Sequence, residues 1–353
     1  MSSSTYERML FPVLKRLDPE TAHDRTLSAL ALAQSNAAGR AMLRAIAGHI
    51  PPQPVQVGTL RFPNPIGVAA GFDKDARVVA GLALLGFGHV EVGTLTPRPQ
   101  AGNPRPRIFR LPADGALINR MGFPNGGVEA AVPRLRALAK QRGAHIVGVS
   151  LGKQKDTPLE NAADDYLTVM QAVHEYADYL AVNISSPNTP GLRELQGGRY
   201  LEQLLRTLVV ENIRLGKAHQ KAPKPLWVKV APDLELAELD EILSTLSATG
   251  VDGIIIANTT LSRNGLIEPA RSEAGGLSGH PARERSTALI AHAHLQTGGA
   301  LPIIGAGGIS SAADAHEKLA AGAAVVQLYT GMVYGGPGIA GRILRELAAG
   351  EPR

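Results

Sequence analysis

The 353-residue chain contains no cysteine, few aromatic residues and no long apolar run. Without cysteine it can form no disulfide, thiolate metal site, iron–sulfur cluster or cysteine nucleophile. Aromatic residues make up only 4% of the chain, too few to line a nucleic-acid groove with stacking platforms despite the net charge of +5, so we expect no nucleic-acid partner. No apolar run approaches the ~18 residues of a membrane span, and residues 1–20 lack the apolar core of a signal peptide. We therefore expect a protein that stays where it is made.

Apolar residues make up 44% of the chain and charged residues 19%, a balance that supports a large core. Residues 5–48 carry apolar side chains at helical spacing, and Asp18-Pro19-Glu20 is typical of a helix N-terminus with Asp18 as its cap. A second helix follows and ends before the proline-rich stretch 51–54. The pattern predicts a small N-terminal helical domain over residues 1–54 and a larger domain over residues 55–353.

From residue 55 onward, short apolar strands alternate with turns and helical stretches. Eight strands are predicted, which indicates a (β/α)₈ TIM barrel. They are Ile66–Ala70, His89–Gly93, Ile146–Leu151, Tyr179–Ile184, Leu226–Ala231, Gly253–Asn258, Pro302–Ala306 and Ala324–Tyr329. The separating helices include Ala76–Leu85, Tyr200–Leu215, Leu236–Thr249 and Ala312–Ala321. A doubly wound sheet is the alternative, but the first strand ends in AAGFDK and not in the GxGxxG of a dinucleotide site. The proline-rich interval Thr94–Asn125 is predicted to be an inserted excursion or hairpin at the top of the barrel.

Polar residues cluster at the predicted carboxyl ends of the strands, the face on which TIM barrels build their active sites. They are Asp73, Lys74, Thr94, Ser150, Asn183, Ser185, Ser186, Lys229, Asn258 and Thr259. Glycines follow the last two strands in IGAGGIS and QLYTGM, where barrels commonly bind a phosphate through backbone N–H groups; simple turns are the alternative. Lys229 lies inside the apolar run LWVKVA, so its ammonium faces either an anionic ligand or a structural salt bridge.

The segment VNISSPNTPGLRELQG is rich in polar side chains. Asn183 and Asn188 can each donate and accept hydrogen bonds, as a planar amide or carboxylate ligand requires. No GxSxG or SxxK motif accompanies Ser185 and Ser186, so a serine here is either a turn residue or a proton-transfer group and not an acyl-enzyme nucleophile. The ten histidines show no metal-ligand spacing, so we expect no metal. His23 is predicted to be a solvated helix residue.

Taken together, these segments resemble the dihydroorotate dehydrogenases of the quinone-dependent, membrane-associated class. The resemblance covers nearly the whole chain and rests on ordered motifs: LDPETAH, AAGFDKDA, EVGTLTPRPQAGNPRPRIFRLP, LINRMGF, LGKQKDT, VNISSPNTPGLR, VKVAPDL, ANTTLSR, GGLSGHP, IIGAGGIS and VQLYTG. It implies a monomer with one FMN in a (β/α)₈ barrel and a small N-terminal helical domain.

The resemblance also implies a reaction and the residues that perform it. Dihydroorotate would be oxidised to orotate in pyrimidine biosynthesis, with Ser186 removing the C5 proton, the C6 hydride passing to flavin N5 and a membrane quinone accepting the electrons. The implied FMN contacts are Ala70, Gly71, Phe72, Asp73, Lys74, Thr94, Asn183, Lys229, Gly279, Gly308, Tyr329 and Thr330. The implied substrate contacts are Lys74, Asn119, Arg120, Met121, Gly122, Phe123, Asn183, Asn188, Asn258 and Thr259. The quinone head group would lie near His23, Arg110 and Tyr329.

The chain departs from the usual family pattern at three positions. Ser150 and Pro124 stand where asparagine is usual, and Ala257 stands where threonine is usual.

Three alternative functions are considered. A 2-hydroxy-acid oxidase would require a catalytic histidine at a strand end, and a soluble fumarate-linked dehydrogenase would require a cysteine. A phosphate-binding barrel without chemistry would not require Ser186, Lys74 and the asparagines.

The N-terminal region also bears on location. From residue 5 through Arg44 it has a net charge of +2 with apolar residues at helical spacing, which suits a helix lying in a bilayer interface. A helical pair packed on the barrel is the alternative. With the resemblance, the pattern predicts peripheral attachment to the cytoplasmic face of a bacterial inner membrane.

Overall fold

The computed structural model describes residues 6–141 and 143–350. Residues 1–5 and 351–353, which the sequence assigns to the ends of the two predicted domains, lie outside the described residues. One π-helical turn at Tyr6–Leu10 is followed by three helices: α1 (Phe11–Leu14), α2 (Pro19–Ser35) and α3 (Ala37–Ala47). The predicted cap of α2 is confirmed, because the Asp18 side chain accepts a hydrogen bond of 2.9 Å from the Thr21 N–H.

The single second helix expected from the sequence is instead the pair α2 and α3. Asn36 has an extended backbone, and its side chain accepts a hydrogen bond of 2.8 Å from the Gly39 N–H. An asparagine that caps a new helix in this way ends the preceding one. The N-terminal helices therefore form a hairpin, which buries Leu27, Leu30 and Leu43 in the same apolar core as the barrel helices.

Strands and helices alternate through the rest of the chain. The strands are β1 (Val55–Val57), β2 (Leu60–Phe62), β3 (Ile66–Val68), β4 (His89–Leu95), β5 (Ile108–Leu111), β6 (Ala116–Asn119), β7 (Ile146–Leu151), β8 (Tyr179–Asn183), β9 (Leu226–Val230), β10 (Gly253–Ile256), β11 (Gly276–Gly279), β12 (Ile303–Ala306) and β13 (Val325–Leu328). The helices are α4 (Val79–Leu84), α5 (Val128–Lys140), α6 (Ala162–Val173), α7 (Gly198–Ala218), α8 (Leu236–Thr249), α9 (Arg283–Gln296), α10 (Ala312–Ala320), α11 (Thr330–Gly335) and α12 (Ile339–Ala348).

Eight parallel strands close into a barrel in the order β10-β12-β13-β3-β4-β7-β8-β9, with β9 pairing again with β10. The fold is a (β/α)₈ TIM barrel, as the sequence predicted, and all eight predicted strands are present. Closure is made by β13 and β3, where Val326 pairs with Ile66. Because the strands are parallel, their carboxyl ends meet at one rim of the barrel.

The predicted excursion over Thr94–Asn125 contains the hairpin of β5 and β6. A third strand of this small sheet, β11, was not predicted; it pairs antiparallel with β6, with Leu277 opposite Ile118. A second hairpin that was not predicted, β1 and β2, packs Val57 and Phe62 among residues at the amino ends of the barrel strands. The β5–β6 hairpin thus extends the rim at the carboxyl ends of the barrel strands, and the β1–β2 hairpin closes the opposite end of the barrel.

Three large rings fill the lower barrel interior, each directly opposite a glycine on the neighbouring strand. The pairs are His89 with Gly67, Tyr179 with Gly148, and Trp227 with Gly253. A Cβ added at Gly148 would lie 2.0 Å from the Tyr179 ring, and one at Gly67 would lie 2.1 Å from the His89 ring. These glycines are needed because a side chain there would overlap the ring that packs the core.

The buried His89 ring makes the stability of the folded protein depend on pH. The ring is fully buried, neither ring nitrogen has a hydrogen-bond partner among the described residues, and burial lowers its pKa to about 3. The unfolded chain takes up a proton on this histidine below about pH 6.5, whereas the folded protein does not, so stability falls as the pH falls through that range. We expect His89 to remove about 2 kcal/mol of stability between pH 7 and pH 5.

Urea denaturation of the wild type and His89→Leu at both pH values measures this loss. The variant should show a smaller decrease on acidification, and the exposed His316→Leu serves as the control. An equal pH dependence in wild type and His89→Leu would contradict the assignment.

Candidate active site

A cavity of about 1190 Å³, its opening to solvent included, lies at the carboxyl ends of the barrel strands; we call it the rim cavity. Segments far apart in the chain meet here because barrel closure brings the loops after β3, β8, β12 and β13 together. Its lining includes most residues singled out from the sequence: Ala70, Gly71, Lys74, Thr94, Asn119, Met121, Gly122, Phe123, Asn183, Ser186, Asn188, Lys229, Asn258, Thr259, Gly279, Gly308, Tyr329 and Thr330.

Three of the predicted FMN and substrate contacts do not line the rim cavity. The Asp73 carboxylate is buried beneath the loop and accepts hydrogen bonds from the N–H groups of Arg77 and Val78, and burial raises its pKa. The Arg120 guanidinium is directed away, since it donates to Glu273 at 2.6 Å and lies 4.6 Å over the Phe109 ring. Phe72 lines a different cavity, described below.

The side chains of Asn119, Asn183, Asn188 and Asn258 lie across the rim cavity; we call this set the asparagine fan. Asn183 donates to the Thr94 hydroxyl at 2.8 Å, and its amide oxygen accepts from the Ser185 hydroxyl at 3.1 Å. Asn258 donates to the same Ser185 oxygen at 2.9 Å. On the other side, Asn188 donates to the Asn119 amide oxygen at 3.3 Å. These contacts fix the carboxamides in orientation, and each carboxamide keeps polar capacity for a ligand.

The Ser186 hydroxyl lies beside this fan. Its side chain is only 5% exposed, and its oxygen accepts the Asn188 N–H at 3.3 Å. An N–H directed at a hydroxyl oxygen stabilises negative charge that develops on that oxygen. Of the two serines considered from the sequence, Ser186 lines the cavity, while Ser185 holds Asn183 and Asn258 in place.

A polar layer crosses the barrel interior directly below the cavity. Lys229 forms an ion pair of 3.3 Å with Glu91, which lies across the barrel on β4 and is fully buried. The other Glu91 oxygen accepts from the Tyr179 hydroxyl at 3.0 Å and from the Gln327 amide at 2.9 Å. The salt-bridge interpretation of Lys229 is therefore confirmed, and Lys229 also lines the rim cavity.

Three polar groups at the cavity wall have no hydrogen-bond partner within the described part of the chain. The Gln327 amide oxygen and the Thr259 hydroxyl are buried without one. The Lys74 ammonium also makes no hydrogen bond there, and burial lowers its pKa although nearby carboxylates, Glu20 first, oppose the shift. Buried polar groups are normally satisfied, so this wall is built to face a polar ligand.

A second cavity of about 1290 Å³, its opening to solvent included, lies between the N-terminal helices and the barrel; we call it the helix cavity. It shares Ile108, Leu117 and Tyr329 with the rim cavity, so these residues separate the two. Its lining is mostly apolar and includes Leu14, Ala22, Leu30, Ala33, Leu43, Ile46, Leu85 and Met332. The Tyr329 ring packs edge-on against Phe72 at 6.1 Å between ring centres, and burial raises the pKa of Tyr329 to about 12.

The expectation of a solvated His23 was wrong. Its ring lines the helix cavity and packs edge-on against Phe72 at 5.1 Å, and its Nε2 has no hydrogen-bond partner in the part of the chain that the structure describes. Burial, assisted by the charge of Lys74, lowers the His23 pKa to about 3, so the ring is neutral at physiological pH. Arg110 lines the same cavity and donates to the Leu17 carbonyl at 2.8 Å, which ties β5 to the start of α2.

Comparisons with known proteins agree with this architecture. The family model for dihydroorotate dehydrogenase matches residues 54–350. The chain belongs to the dihydroorotate dehydrogenase family. It is 49% identical to the dihydroorotate dehydrogenase (quinone) of Acidithiobacillus ferrooxidans over 96% of this chain and 93% of the relative. It is also 49% identical to the enzyme of the same name from Methylococcus capsulatus, over 98% of this chain and 99% of the relative.

Solved structures of the dihydroorotate dehydrogenase family extend the likeness to three dimensions. The ligand-free enzyme from Eimeria tenella matches with a TM-score of 0.85 and 40% identity over 94% of each chain. The complex of the Eimeria tenella enzyme with ferulenol matches with a TM-score of 0.84 and 38% identity, over 94% of this chain and 90% of that one. The chain is therefore an oxidoreductase of this family.

Sequence reasoning missed the partners of Lys229. Glu91 and Gln327 each stand inside an apolar strand, in HVEVG and VVQLY, as Lys229 does in LWVKV. A lone charge inside an apolar strand requires an opposite charge, so the signal that identified Lys229 also identifies Glu91. The departure at Ser150 has a local consequence as well, since its hydroxyl lies 2.9 Å from the Thr94 hydroxyl.

The buried Lys229–Glu91 ion pair leads to a prediction about the unfolding free energy of variants at these two positions. Lys229→Met leaves a fully buried carboxylate without its counter-charge, which should cost about 3–5 kcal/mol of unfolding free energy. Replacing both partners, as in Lys229→Met with Glu91→Leu, should recover most of that loss because no charge is left buried. Urea denaturation measures both variants, and a double variant as unstable as Lys229→Met would contradict the interpretation.

Proposed function

We propose that the protein oxidises dihydroorotate to orotate and passes the electrons through one bound FMN to a membrane quinone. The observation that carries the proposal is the pair of cavities: a polar one with Ser186, asparagines and lysines, and an apolar one separated from it by Tyr329, Ile108 and Leu117. The curated relatives named dihydroorotate dehydrogenase (quinone) support the same reaction. Among described residues, no histidine lines the rim cavity, which disfavours a hydroxy-acid oxidase.

The asparagine fan suits the substrate. A dihydropyrimidine presents amide N–H and carbonyl groups in one plane, and carboxamides offer the matching acceptors and donors. Asn119, Asn183, Asn188 and Asn258 would bind this plane, and Lys74, which lacks a hydrogen-bond partner among the described residues, would bind the carboxylate. Met121, Gly122, Phe123 and Thr259 would close the pocket around it.

Ser186 is proposed as the base that takes the C5 proton. A neutral serine hydroxyl is a weak base, so Ser186 must release its own proton to a water molecule in the rim cavity as it takes the C5 proton, and the negative charge that develops on its oxygen must be stabilised. The Asn188 N–H is directed at this oxygen, and the ammonium groups of Lys74 and Lys229 line the same cavity. The buried position excludes bulk water, which strengthens both effects.

The rim cavity also fits FMN. Gly279 and Gly308 line it with φ values of +99° and +76°, a conformation that favours glycine, and backbone N–H groups of these two loops would bind the phosphate. The Thr330 hydroxyl, 2.8 Å from Ser278 Oγ, would join them at the phosphate. The Gln327 amide oxygen, which has no partner among the described residues, would accept a hydrogen bond from the bound cofactor. Lys229 would face the flavin ring with Ala70, Gly71, Thr94 and Asn183. When bound, FMN supplies the hydride acceptor that no side chain of this protein can provide.

The first test is flavin reduction in a single turnover. The purified protein should be yellow, and anaerobic dihydroorotate should bleach it. Ser186→Ala should keep FMN and bind orotate, but reduce its flavin about 10²–10⁴-fold more slowly, the usual contribution of a general base. Stopped-flow absorbance measures the rate.

Ser185→Ala is the matched control, because it removes the neighbouring hydroxyl that holds Asn183 and Asn258. It should weaken orotate binding more than it slows proton transfer. Colourless protein would overturn the proposal, and wild-type flavin reduction in Ser186→Ala would assign the base elsewhere.

The helix cavity is proposed as the quinone site, with residues 1–54 as a separate N-terminal domain. A cavity with a mostly apolar lining suits an isoprenoid quinone, and His23, Arg110 and Tyr329 are among the polar groups that line it. Apolar side chains of the N-terminal helices remain exposed, among them Met9, Val13, Leu32 and Met42. Over residues 6–141 and 143–350, no helix is both long and apolar enough to cross a bilayer. The exposed apolar side chains support contact with a bilayer surface, and we propose that the protein is a monomer attached peripherally to the cytoplasmic face of a bacterial inner membrane.

The second test separates the helix cavity from the rim cavity. Thr26 lines the helix cavity, whereas Ser28, on the same helix, is exposed; each hydroxyl bonds the carbonyl four residues earlier, at 2.8 and 2.9 Å. Thr26→Phe should raise the KM for a long-chain quinone roughly tenfold, equivalent to about 1.4 kcal/mol of binding. Ser28→Phe should not change it, and flavin reduction by dihydroorotate should be unaffected in both. Equal quinone kinetics in the two variants would exclude the helix cavity as the site.

A further inference from the structure

An ion pair joins the N-terminal helices to the loop that supports the substrate side of the rim cavity. Glu20, in the first turn of α2, is 7% exposed, and Arg107, just before β5, is 6% exposed. Arg107 binds both carboxylate oxygens, with Nη2 at 2.6 Å from Oε1 and Nε at 3.0 Å from Oε2. Two-point pairing of this kind is the strong, directional form of an ion pair.

The rest of the Arg107 guanidinium holds the loop itself. Its Nη1 donates to the carbonyls of Ala101 and Asn103 at 2.6 and 2.7 Å. Gly102, between these two residues, leaves the necessary room, because a Cβ there would lie 2.8 Å from Nη1. One buried side chain therefore fixes the shape of residues 101–107 and anchors them to α2.

Asn103 carries this order to the rim cavity. Its N–H donates to the Met121 carbonyl at 2.9 Å, and its side-chain amide donates to the carbonyls of Arg120 and Asn188 at 3.0 and 3.1 Å. Met121 and Asn188 line the rim cavity, and the Asn188 N–H contacts Ser186. Asn103 also packs so closely on Gly122 that a Cβ there would lie 2.8 Å from its amide nitrogen.

Glu20 remains charged in this position. Burial alone would raise the pKa of Glu20, but hydrogen bonds and charges from Arg107 and Arg105 outweigh it and lower the pKa. The two arginines differ in exposure, since the Arg105 side chain is 66% exposed and the Arg107 side chain 7%. Screening by water makes the Arg105 contact weak, so the buried Arg107 carries the connection.

We propose that Glu20 and Arg107 are positioning residues for the substrate pocket, through which the N-terminal helices set the affinity of the rim cavity for orotate. Neither side chain lines the rim cavity. They act through Asn103 on the backbone that presents Met121 and Asn188, a route distinct from the charge that Glu20 places near Lys74. The inference rests on the proposed function, because it takes orotate as the ligand of that pocket.

Equilibrium titration of the FMN-loaded, full-length protein with orotate, followed by the change in flavin absorbance, tests the connection. Glu20→Gln should weaken orotate binding about tenfold, the loss of roughly one charge-assisted hydrogen bond. Arg105→Gln is the matched control, because it removes the exposed partner of the same carboxylate, and it should bind orotate as the wild type does.

Asn103→Ala gives an independent measurement that leaves the Glu20–Arg107 pair intact, and it keeps the test valid if Glu20→Gln fails to fold. It should weaken orotate binding by a similar factor, and the double variant should be little worse than either single variant. In steady state, both should raise the KM for dihydroorotate with little change in kcat at saturation.

The outcomes separate this inference from the proposed function. A wild-type protein that holds FMN but does not respond to orotate would refute the proposed function. A wild type that binds orotate, with Glu20→Gln and Asn103→Ala binding it equally well, would refute the connection. Lower thermal stability or altered quinone kinetics without a change in orotate affinity would show a purely structural ion pair and would also overturn it.

Discussion

Closure of the barrel between β13 and β3 is the constraint on which the rest of the molecule depends. It sets the loop after β3 against the loop after β13, so closely that a Cβ at Gly71 would lie 3.3 Å from the Tyr329 ring. Tyr329 is thereby placed in the wall between the rim cavity and the helix cavity. Because all eight strands are parallel, the same closure gathers the asparagines, Ser186 and both lysines on one rim.

The barrel interior changes character with depth, and that gradient links stability to chemistry. At the bottom, rings pack into the space left by glycines on neighbouring strands, which excludes water. Above them, Glu91 and Lys229 pair across the barrel with help from Tyr179 and Gln327. A charge at this depth persists only with its partner, so Lys229 reaches the cavity floor because Glu91 compensates it. The Lys229 ammonium beneath the ligand site is therefore stabilised by Glu91 inside the core and not by the ligand alone.

The sequence predicted regular elements well and long-range contacts poorly. Ile146–Leu151 and Leu236–Thr249 match the structure residue for residue, since apolar runs bounded by turn residues are local signals. β11 was missed because a four-residue, glycine-bounded stretch becomes a strand only by pairing with β6, which lies far away in sequence. His23 was misjudged because its burial depends on packing against Phe72 from the barrel. The break at Asn36 was predictable, because asparagine is a favoured helix cap.

Under the proposed function, the wall between the cavities decides what can cross it. Ile108, Leu117 and Tyr329 line both cavities, and Phe72 packs against Tyr329 and His23 in turn. A polar substrate gains nothing by entering the apolar cavity, and a hydrophobic acceptor gains nothing in the asparagine-lined one. Each reactant is therefore confined to its own side by desolvation cost, and only electrons and protons need to pass. His23 stays neutral and Tyr329 stays protonated on the helix side, so these two side chains add no charge that an apolar acceptor would have to desolvate. The separation of two chemically different partners thus follows from the polarity of the two linings and requires no moving part.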